Sequence, residues 1–420
     1  MSSLADRLRG IMKPVAATAA RDGERGGPAP ASPAGAAAGR DAADVLGGEW
    51  QDDFLIVNRK YSPGHRHGRV AVADAAPPDE GWPRLNLLGG AGSRCLFLDL
   101  ETTGLAGGAG TYAFLVGLAW FDGCTFRVRQ FFLASYAAER VLLQAVRELA
   151  GEMGTIVTYN GKSFDLPVLE TRYVMNRMET PFAEKPHVDM LHHARRLWRG
   201  SGDEEGEGVR LTVVERTLCG HYRDGDVPGF EIPARYFHFV RTGEVRQLEA
   251  VLEHNRLDLI SLALLTSRAA QLLEEGPVSS RAAREALGLG QIYERAGLPD
   301  EARAAFARAT TLPADSATRA ESLRALAVSC RRARAYGAAA EAWQSILELR
   351  GCQASIVREA TEALAVHHEH RLRDPLSAKS FALESLRLPV TPTRRCALEH
   401  RLARLNRKLG GNGPEVAALF

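Results

Sequence analysis

Apolar positions along this chain change period, and each change marks an element. Cys95-Leu-Phe-Leu is an unbroken apolar run that ends in acid at Asp99. A second run covers 111–121, and Phe126, Val128, Gln130 and Phe132 alternate along 125–133. Asp122-Gly123 is the tight turn between the last two, so three strands joined by short loops form an antiparallel meander. Val141, Leu142, Ala145 and Leu149 then recur three and four apart, which predicts a helix over 138–150 stopped by Gly151. A buried strand is expected at 155–159. Helices begin near Asp165, Met190 and Leu211, and a long one covers about 248–273.

A meander followed by helix, strand and further helices is the order of a ribonuclease-H-like α/β fold with a mixed sheet, an order that other mixed α/β folds share. After Gly276-Pro277 the period stays helical. Leu289-Gly290-x-x-Tyr293 with Ala302, Phe306 and Ala309 sits on the tetratricopeptide template of small and large packing positions. Weaker copies start at Leu326 (with Ala339 and Trp343) and Leu364 (with Ala378 and Ala382), 37 and 38 residues apart. Three such units and a closing helix at about 393–409 would just bury a continuous core. Ahead of the strands, Leu4, Leu8, Ile11 and Met12 place an amphipathic helix over 1–14. Residues 15–48, nearly all Ala, Gly, Pro, Arg and Asp, read as a disordered linker. The expected organisation is helix and linker over 1–50, the α/β unit over 51–276 with its core at about 90–275, and an all-α helical-repeat domain over 277–420.

Composition adds little to this picture. The net charge is +2, and it is unevenly divided: residues 281–420 carry 22 Lys+Arg against 15 Asp+Glu, the first 280 carry 31 against 36. An acidic front suits a metal site and a basic tail a polyanion, as would any solvated surface of mixed sign. Six scattered cysteines without a CxxC pair exclude a thiolate zinc framework and fit a reducing compartment. The start lacks a signal core and the most apolar run, 113–121, is half a bilayer span. The expectation is therefore a cytoplasmic protein with no membrane contact. Arginine outnumbers lysine 47 to 6, the bias of a GC-rich bacterial genome.

Three segments carry candidate chemistry. In Phe97-Leu-Asp-Leu-Glu-Thr-Thr-Gly104, Asp99 and Glu101 are two apart on a strand and share one face. Adjacent carboxylates repel unless a divalent cation lies between them, and oxygen ligands suit magnesium or manganese. A solvated strand end presents the same pair. Asn160-Gly-Lys-Ser-Phe-Asp165 follows a buried strand and opens a helix, where Asp165 is equally a ligand or an N-cap. His254-Asn-Arg-Leu-Asp258 puts an imidazole and a carboxylate on one helix face, at one site or as an ordinary neighbour pair.

Together the three segments resemble the DEDD superfamily of 3′–5′ exonucleases. Tyr159-Asn-Gly-Lys-Ser-Phe-Asp165, the run Asp189 to Trp198, Asp226-Val-Pro-Gly229 and Glu253-His-Asn255 look, more narrowly, like the YprB-type bacterial proteins, which join a ribonuclease-H-like exonuclease domain to tetratricopeptide-like repeats. The resemblance covers about 90–275 well and the tail loosely. It implies that Asp99, Glu101, Asp165 and Asp258 hold two divalent ions, Mg2+ or Mn2+, for hydrolysis at a single-stranded DNA or RNA end. His254 would take the proton of the attacking water. In the best-known members a histidine stands five residues before the last Asp and a tyrosine four; here a histidine stands at four. Thr102, Asn160 and Lys162 would contact substrate, with Arg195 or Arg196 as further phosphate contacts or plain surface charge. Asp189 is expected as a helix cap or a support to the site.

The Gly-rich 104–110 precedes a strand, so it is read as a flexible loop beside the site, not a phosphate cradle. His65-x-His67 lacks partner ligands in sequence and is expected on a loop surface. The competing readings are a structure-selective endonuclease and a non-catalytic adaptor that binds nucleic acid or, through the repeats, a protein partner.

Overall fold

The computed structural model describes residues 37–91, 94–104, 108–200 and 208–410. The strands are β1 (Glu49–Gln51), β2 (Phe54–Tyr61), β3 (Arg66–His67), β4 (Val70–Ala71), β5 (Cys95–Thr102), β6 (Ala113–Asp122), β7 (Thr125–Phe132), β8 (Thr155–Thr158) and β9 (His187–Asp189). Seven of them form one mixed sheet in the order β1-β2-β7-β6-β5-β8-β9, while β3 and β4 make a separate hairpin. From β1 to β5 neighbours are antiparallel; β8 and β9 run parallel to β5. The expected meander is β5, β6 and β7. It sits mid-sheet, so β6 is buried over seven consecutive residues and reads as continuous apolar sequence rather than alternation.

The helices are α1 (Ala37–Leu46), α2 (Glu139–Gly151), α3 (Asp165–Met175), α4 (Met190–Leu197), α5 (Leu211–Cys219), α6 (Ile232–Thr242) and α7 (Arg246–Glu275). After them come α8 (Ala283–Arg295), α9 (Pro299–Thr311), α10 (Ser316–Arg332), α11 (Tyr336–Leu347), α12 (Ala354–His367), α13 (Pro375–Arg387) and α14 (Pro392–Lys408). Alternation along β5 divides the core. Leu96, Leu98 and Leu100 face a cluster with Leu142, Leu169 and Tyr236 from α2, α3 and α6. Phe97 faces the other, with Ala194, Val214 and Leu259 from α4, α5 and α7. That second cluster does not stop at Gly276. It continues through Leu289, Tyr293 and Phe306 of α8 and α9. A Cβ on Gly288 would lie 2.5 Å from the Arg196 carbonyl oxygen, so glycine lets α8 rest on α4. Gly290 likewise leaves room for the Phe306 ring.

The last seven helices form an all-helical region in which each packs against the next. Among the described residues no helix is long and apolar enough to cross a membrane.

Several elements depart from expectation. Residues 37–46, assigned to the linker, are helical, with Ala42 and Leu46 buried and α1 packed on α7. An alanine-rich stretch has high helix propensity, and two apolar anchors suffice once a partner helix exists. The amphipathic helix at 1–14 lies outside the described residues. Strands begin at β1 and β2, well before residue 95, and α6 and the three-residue β9 are additions.

Candidate functional site

Asp99 and Glu101 lie on one face of β5 at its C-terminal end, and Glu101 is 8% exposed. A register shift between Glu101 and Thr102 ends regular pairing with β6 there, which turns the strand end toward a cleft. Opposite Asp99 on β6 is Gly117. A Cβ there would lie 2.2 Å from Asn255 Oδ1, so the bare backbone is what allows α7 to cross the sheet at this point. Asn255 Nδ2 donates to Asp99 Oδ2 at 2.8 Å and to its carbonyl at 3.1 Å. Gln130 Nε2, from β7, donates to Asn255 Oδ1 at 2.8 Å and fixes that amide.

Asp165 opens α3, and amides of Leu100 and of Asp165 itself hydrogen-bond its carboxylate. The turn before it is held from elsewhere. Asp189 accepts from the amides of Asn160 (2.8 Å), Lys162 (3.1 Å) and Leu191 (3.1 Å). Asp189 is thus both the N-cap of α4 and the anchor of the 160–162 turn, where Asn160 takes φ 69°, a conformation asparagine tolerates. Lys162 is exposed, and neither it nor Asn160 lines the cleft. Thr102 does line it, with its hydroxyl donating to the Gly104 carbonyl at 2.9 Å. Gly104 and Gly108 of the glycine-rich segment lie along the same wall.

Asp258 and His254 come from α7, held by buried Leu252, Leu259 and Leu262, with Leu257 only half-buried. His254 Nδ1 is 2.6 Å from Asp226 Oδ1, and its Nε2 faces Asp258 Oδ2 at 3.7 Å. Buried Arg223 meets Asp258 Oδ1 at 2.6 Å, Asp226 Oδ2 at 3.3 Å and Glu215 Oε2 at 2.7 Å. In the sequence, Asp226 and Asn255 carry no role of their own, Arg223 and Glu215 give no signal, and Gln130 stands only as a strand position. Only Gln130 carried a signal, a polar residue in an otherwise apolar strand face.

The electrostatics of this end of the sheet are unbalanced. Asp99, Glu101, Asp165, Asp258 and Asp226 lie near one another, and of these Asp258 and Asp226 meet the Arg223 guanidinium. Burial raises the Asp99 carboxyl well above the usual range, and the charges of Asp258, Glu101 and Asp165 raise it further. Glu101 is raised by burial and then by Asp258 and Asp165. Burial pushes Asp165 up to about 7, opposed by its backbone hydrogen bonds. Asp226 goes the other way: burial alone would raise it, but hydrogen bonds from His254 and the Arg223 charge leave it lowered. Acids that raise one another in this way fit a divalent cation, and an all-oxygen donor set fits magnesium or manganese. No three of the four carboxylates place ligand atoms within 4.8 Å of one another.

The cleft beside Glu101 and Asp165 has a volume of about 340 Å3. Phe164 lines it while 53% exposed, and Gly229, Ile232 and Pro233 close the far wall.

This sheet and its helices form a ribonuclease-H-like domain: residues 96–270 match the RNase_H superfamily, a fold of nucleic-acid-processing nucleases that generally use divalent metals. Among curated proteins, the chain is 35% identical over 224 residues to YprB of Bacillus subtilis (strain 168), covering 51% of this chain and 53% of that one. The chain therefore spans about half the length of that relative. Among solved structures, a family B DNA polymerase from the hyperthermophilic archaeon Pyrobaculum calidifontis matches at 14% identity with a TM-score of 0.35, over 58% of this chain and 30% of the polymerase chain.

Proposed function

We propose that the protein is a DEDD-type 3′–5′ exonuclease acting on single-stranded DNA or RNA ends. The observation that carries this reading is the convergence of Asp99, Glu101, Asp165 and Asp258 with more negative charge than their surroundings balance. These four would hold two Mg2+ or Mn2+ ions, whose chemistry when bound is activation of water and neutralisation of charge on the scissile phosphate. The rest is done by the chain. Asp226 accepts the Nδ1 proton of His254, which leaves Nε2 as the acceptor beside Asp258. His254 Nε2 takes the proton of the attacking water, and Asp226 steadies the imidazolium that results. Phe164 offers an exposed ring on which a terminal base can stack. Thr102 contacts the substrate at the cleft wall, while Asn160 and Lys162 act on the strand further out.

We read 277–420 as tetratricopeptide-like repeats that engage a protein partner, with Arg324, Arg332, Arg358 and Arg394 along their groove. The relevant boundary for folding then falls after α9, not at 276, because α8 and α9 share the core of the nuclease unit.

One contact favours a second reading, a non-catalytic adaptor: Arg223 already pairs with an oxygen of Asp258. The test for both uses 5′-labelled single-stranded DNA and RNA with free or blocked 3′ ends, with and without Mn2+. Stepwise shortening from a free 3′ end that requires the ion is expected. Asp99→Asn, still folded, should lower it by at least about 100-fold, more than outer ligand supports typically cost. A folded variant with near-native activity removes the metal assignment. Cleavage of blocked ends at internal positions makes the enzyme an endonuclease. No turnover by the wild type under any condition leaves the adaptor.

A further inference from the structure

His67 and Glu215 are buried far more deeply than a loop histidine and a helix carboxylate should be, at 3% and 0% exposure. His65-x-His67 was expected at the surface, and the structure corrects this for His67. The β3–β4 hairpin folds onto the C-terminal end of α5, with the Arg69 amide donating to the Cys219 carbonyl at 2.7 Å. Gly68, at φ +60°, makes that contact possible, because any Cβ there would fall 2.1 Å from the same oxygen. The neighbouring His67 is thereby driven inward until Nε2 lies 2.5 Å from Glu215 Oε1. Ser261 of α7 donates to the same oxygen at 2.6 Å. The second oxygen is taken by Arg223 Nε at 2.7 Å. His221 lies over the His67 ring, with centroids 3.9 Å apart and planes 26° apart. One ligand atom from each of His67, Glu215 and His221 falls within 4.8 Å of the others, the one such group among the described residues.

We propose that His67, Glu215 and His221 form a binding site for a single zinc-class transition-metal ion, separate from the four-carboxylate centre. Two imidazoles and a carboxylate are a nitrogen-rich donor set that suits zinc and disfavours magnesium, the reverse of the all-oxygen cluster at the end of β5. Ligands around tetrahedral zinc lie roughly 3.3 Å apart, given bonds of about 2.0–2.1 Å. His67 and Glu215 need only part slightly, with the proton between them displaced. His221 must tilt out of the stack, which its half-exposed position allows. A water would complete a four-coordinate ion. Such an ion joins the hairpin, α5 and the segment after it. Through the other Glu215 oxygen it also supports Arg223, the residue that meets Asp258. The inference stands whether or not the protein is a nuclease.

The test uses tag-free, full-length protein, stripped with a chelator and then titrated with Zn2+ against a chromophoric competitor. Wild type and Asp99→Asn should each bind one equivalent that His221→Ala lacks or binds at least about 100-fold more weakly. Zinc should also raise the melting temperature of the wild type by a margin that His221→Ala and His221→Gln lose. The half-exposed His221 can be replaced without emptying the core, so both variants should fold. Zinc held equally by wild type and the His221 variants, or an equivalent that disappears with Asp99→Asn instead, overturns the proposal. So does a wild type that competes for no zinc at micromolar concentration.

Discussion

Glu369 and Asp165 are both carboxylates withdrawn from water, in two regions that treat them in opposite ways. Glu369 sits in the π-helical turn His368–Leu372 after α12 and accepts from Arg401 and Arg404 at 2.7 Å and Lys408 at 2.9 Å, all on α14. Arg404 above all holds its pKa down to about 2. Glu139 with Arg172, at 2.5 Å, and Glu285 with Arg268, at 2.8 Å, follow the same rule elsewhere. Among the described residues Asp165 has no such partner, and burial sends its pKa up to about 7. Glu369, Glu139 and Glu285 are each supplied with a cation, and buried Asp189 with three backbone amides. Around Asp99, Glu101 and Asp165 no Lys or Arg partner is present among the described residues, and this difference is what motivates the proposed external cation.

The severest way to break the comparison is to cut the two regions apart. A chain ended at 276 loses Leu289, Tyr293 and Phe306 from the core shared with α7, and the Glu285 partner of Arg268. It should be insoluble or lack a cooperative melting transition. A chain ended at 313 keeps that core and removes Glu369 together with all of its cations, so it should fold and retain the chemistry of the cleft. Circular dichroism during heating decides; cooperative unfolding of the 276 fragment would show that the helical tail is dispensable to the fold.

His254 sharpens the comparison next. It is the imidazole flanked by Asp226 and Asp258, and general-base catalysis typically contributes about 10²–10⁴-fold. His254→Ala should slow single-turnover hydrolysis by that factor and stay slow as manganese is raised to saturation. Recovery of the wild-type rate at high manganese would make His254 a support for metal binding instead.

Much of this was legible in the sequence, and what was not has a common cause. The meander, α7 and the three acidic segments announce themselves because their signals are local: apolar runs, Asp-Gly, and carboxylates at i and i+2 or i and i+4. β2 is Phe-Leu-Ile-Val followed by Asn-Arg-Lys, a pattern with no period, because one half is covered by core and the other is exposed beside β7. β9 is three residues long and exists by pairing with β8. His67 is read as loop because its neighbours are Gly, Arg and Pro, while its partner Glu215 is 148 residues away. Arg223 and Asp226 lie in a Gly- and Asp-rich segment that looks like linker, and their roles are set by α7. Local chemistry could name the candidate ligands. It could not name the residues that aim or balance them.

A smaller effect is expected where the balance is complete. Glu369→Gln removes the anion and leaves Arg401, Arg404 and Lys408 crowded at one point. Breaking a buried pair typically costs about 3–5 kcal/mol. Arg404 and Lys408 keep 42% and 45% of their side-chain exposure, so the low end, about 3 kcal/mol, is expected. Urea midpoints of wild type and variant measure it. An unchanged midpoint would mean that solvent already screens the cations and that the contrast with Asp165 is weaker than drawn.

The smallest effect tests the unbalanced side directly. A carboxyl raised from 3.8 to about 7 by folding stabilises the protein fully below pH 3.8 and ceases to as the pH climbs to about 7. The sign follows from proton counts: across that window the folded state holds the proton that the unfolded state has lost, so raising the pH favours unfolding. In EDTA, wild-type stability relative to Asp165→Asn should therefore fall between pH 4 and 7. One pKa unit corresponds to about 1.4 kcal/mol. Asp165 keeps some exposure and shares its field with Asp99 and Glu101, so the loss expected is about 1–2 kcal/mol. Millimolar Mg2+ should return it at neutral pH in the wild type and return less in the variant, because the ion binds the ionised, folded cluster. Taking the difference between the two proteins cancels the titration of Glu369 and of every other acid they share. A difference that rises with pH in EDTA, or that Mg2+ leaves unchanged, would mean that the charge around Asp165 is balanced after all, and the case for an external cation would go with it.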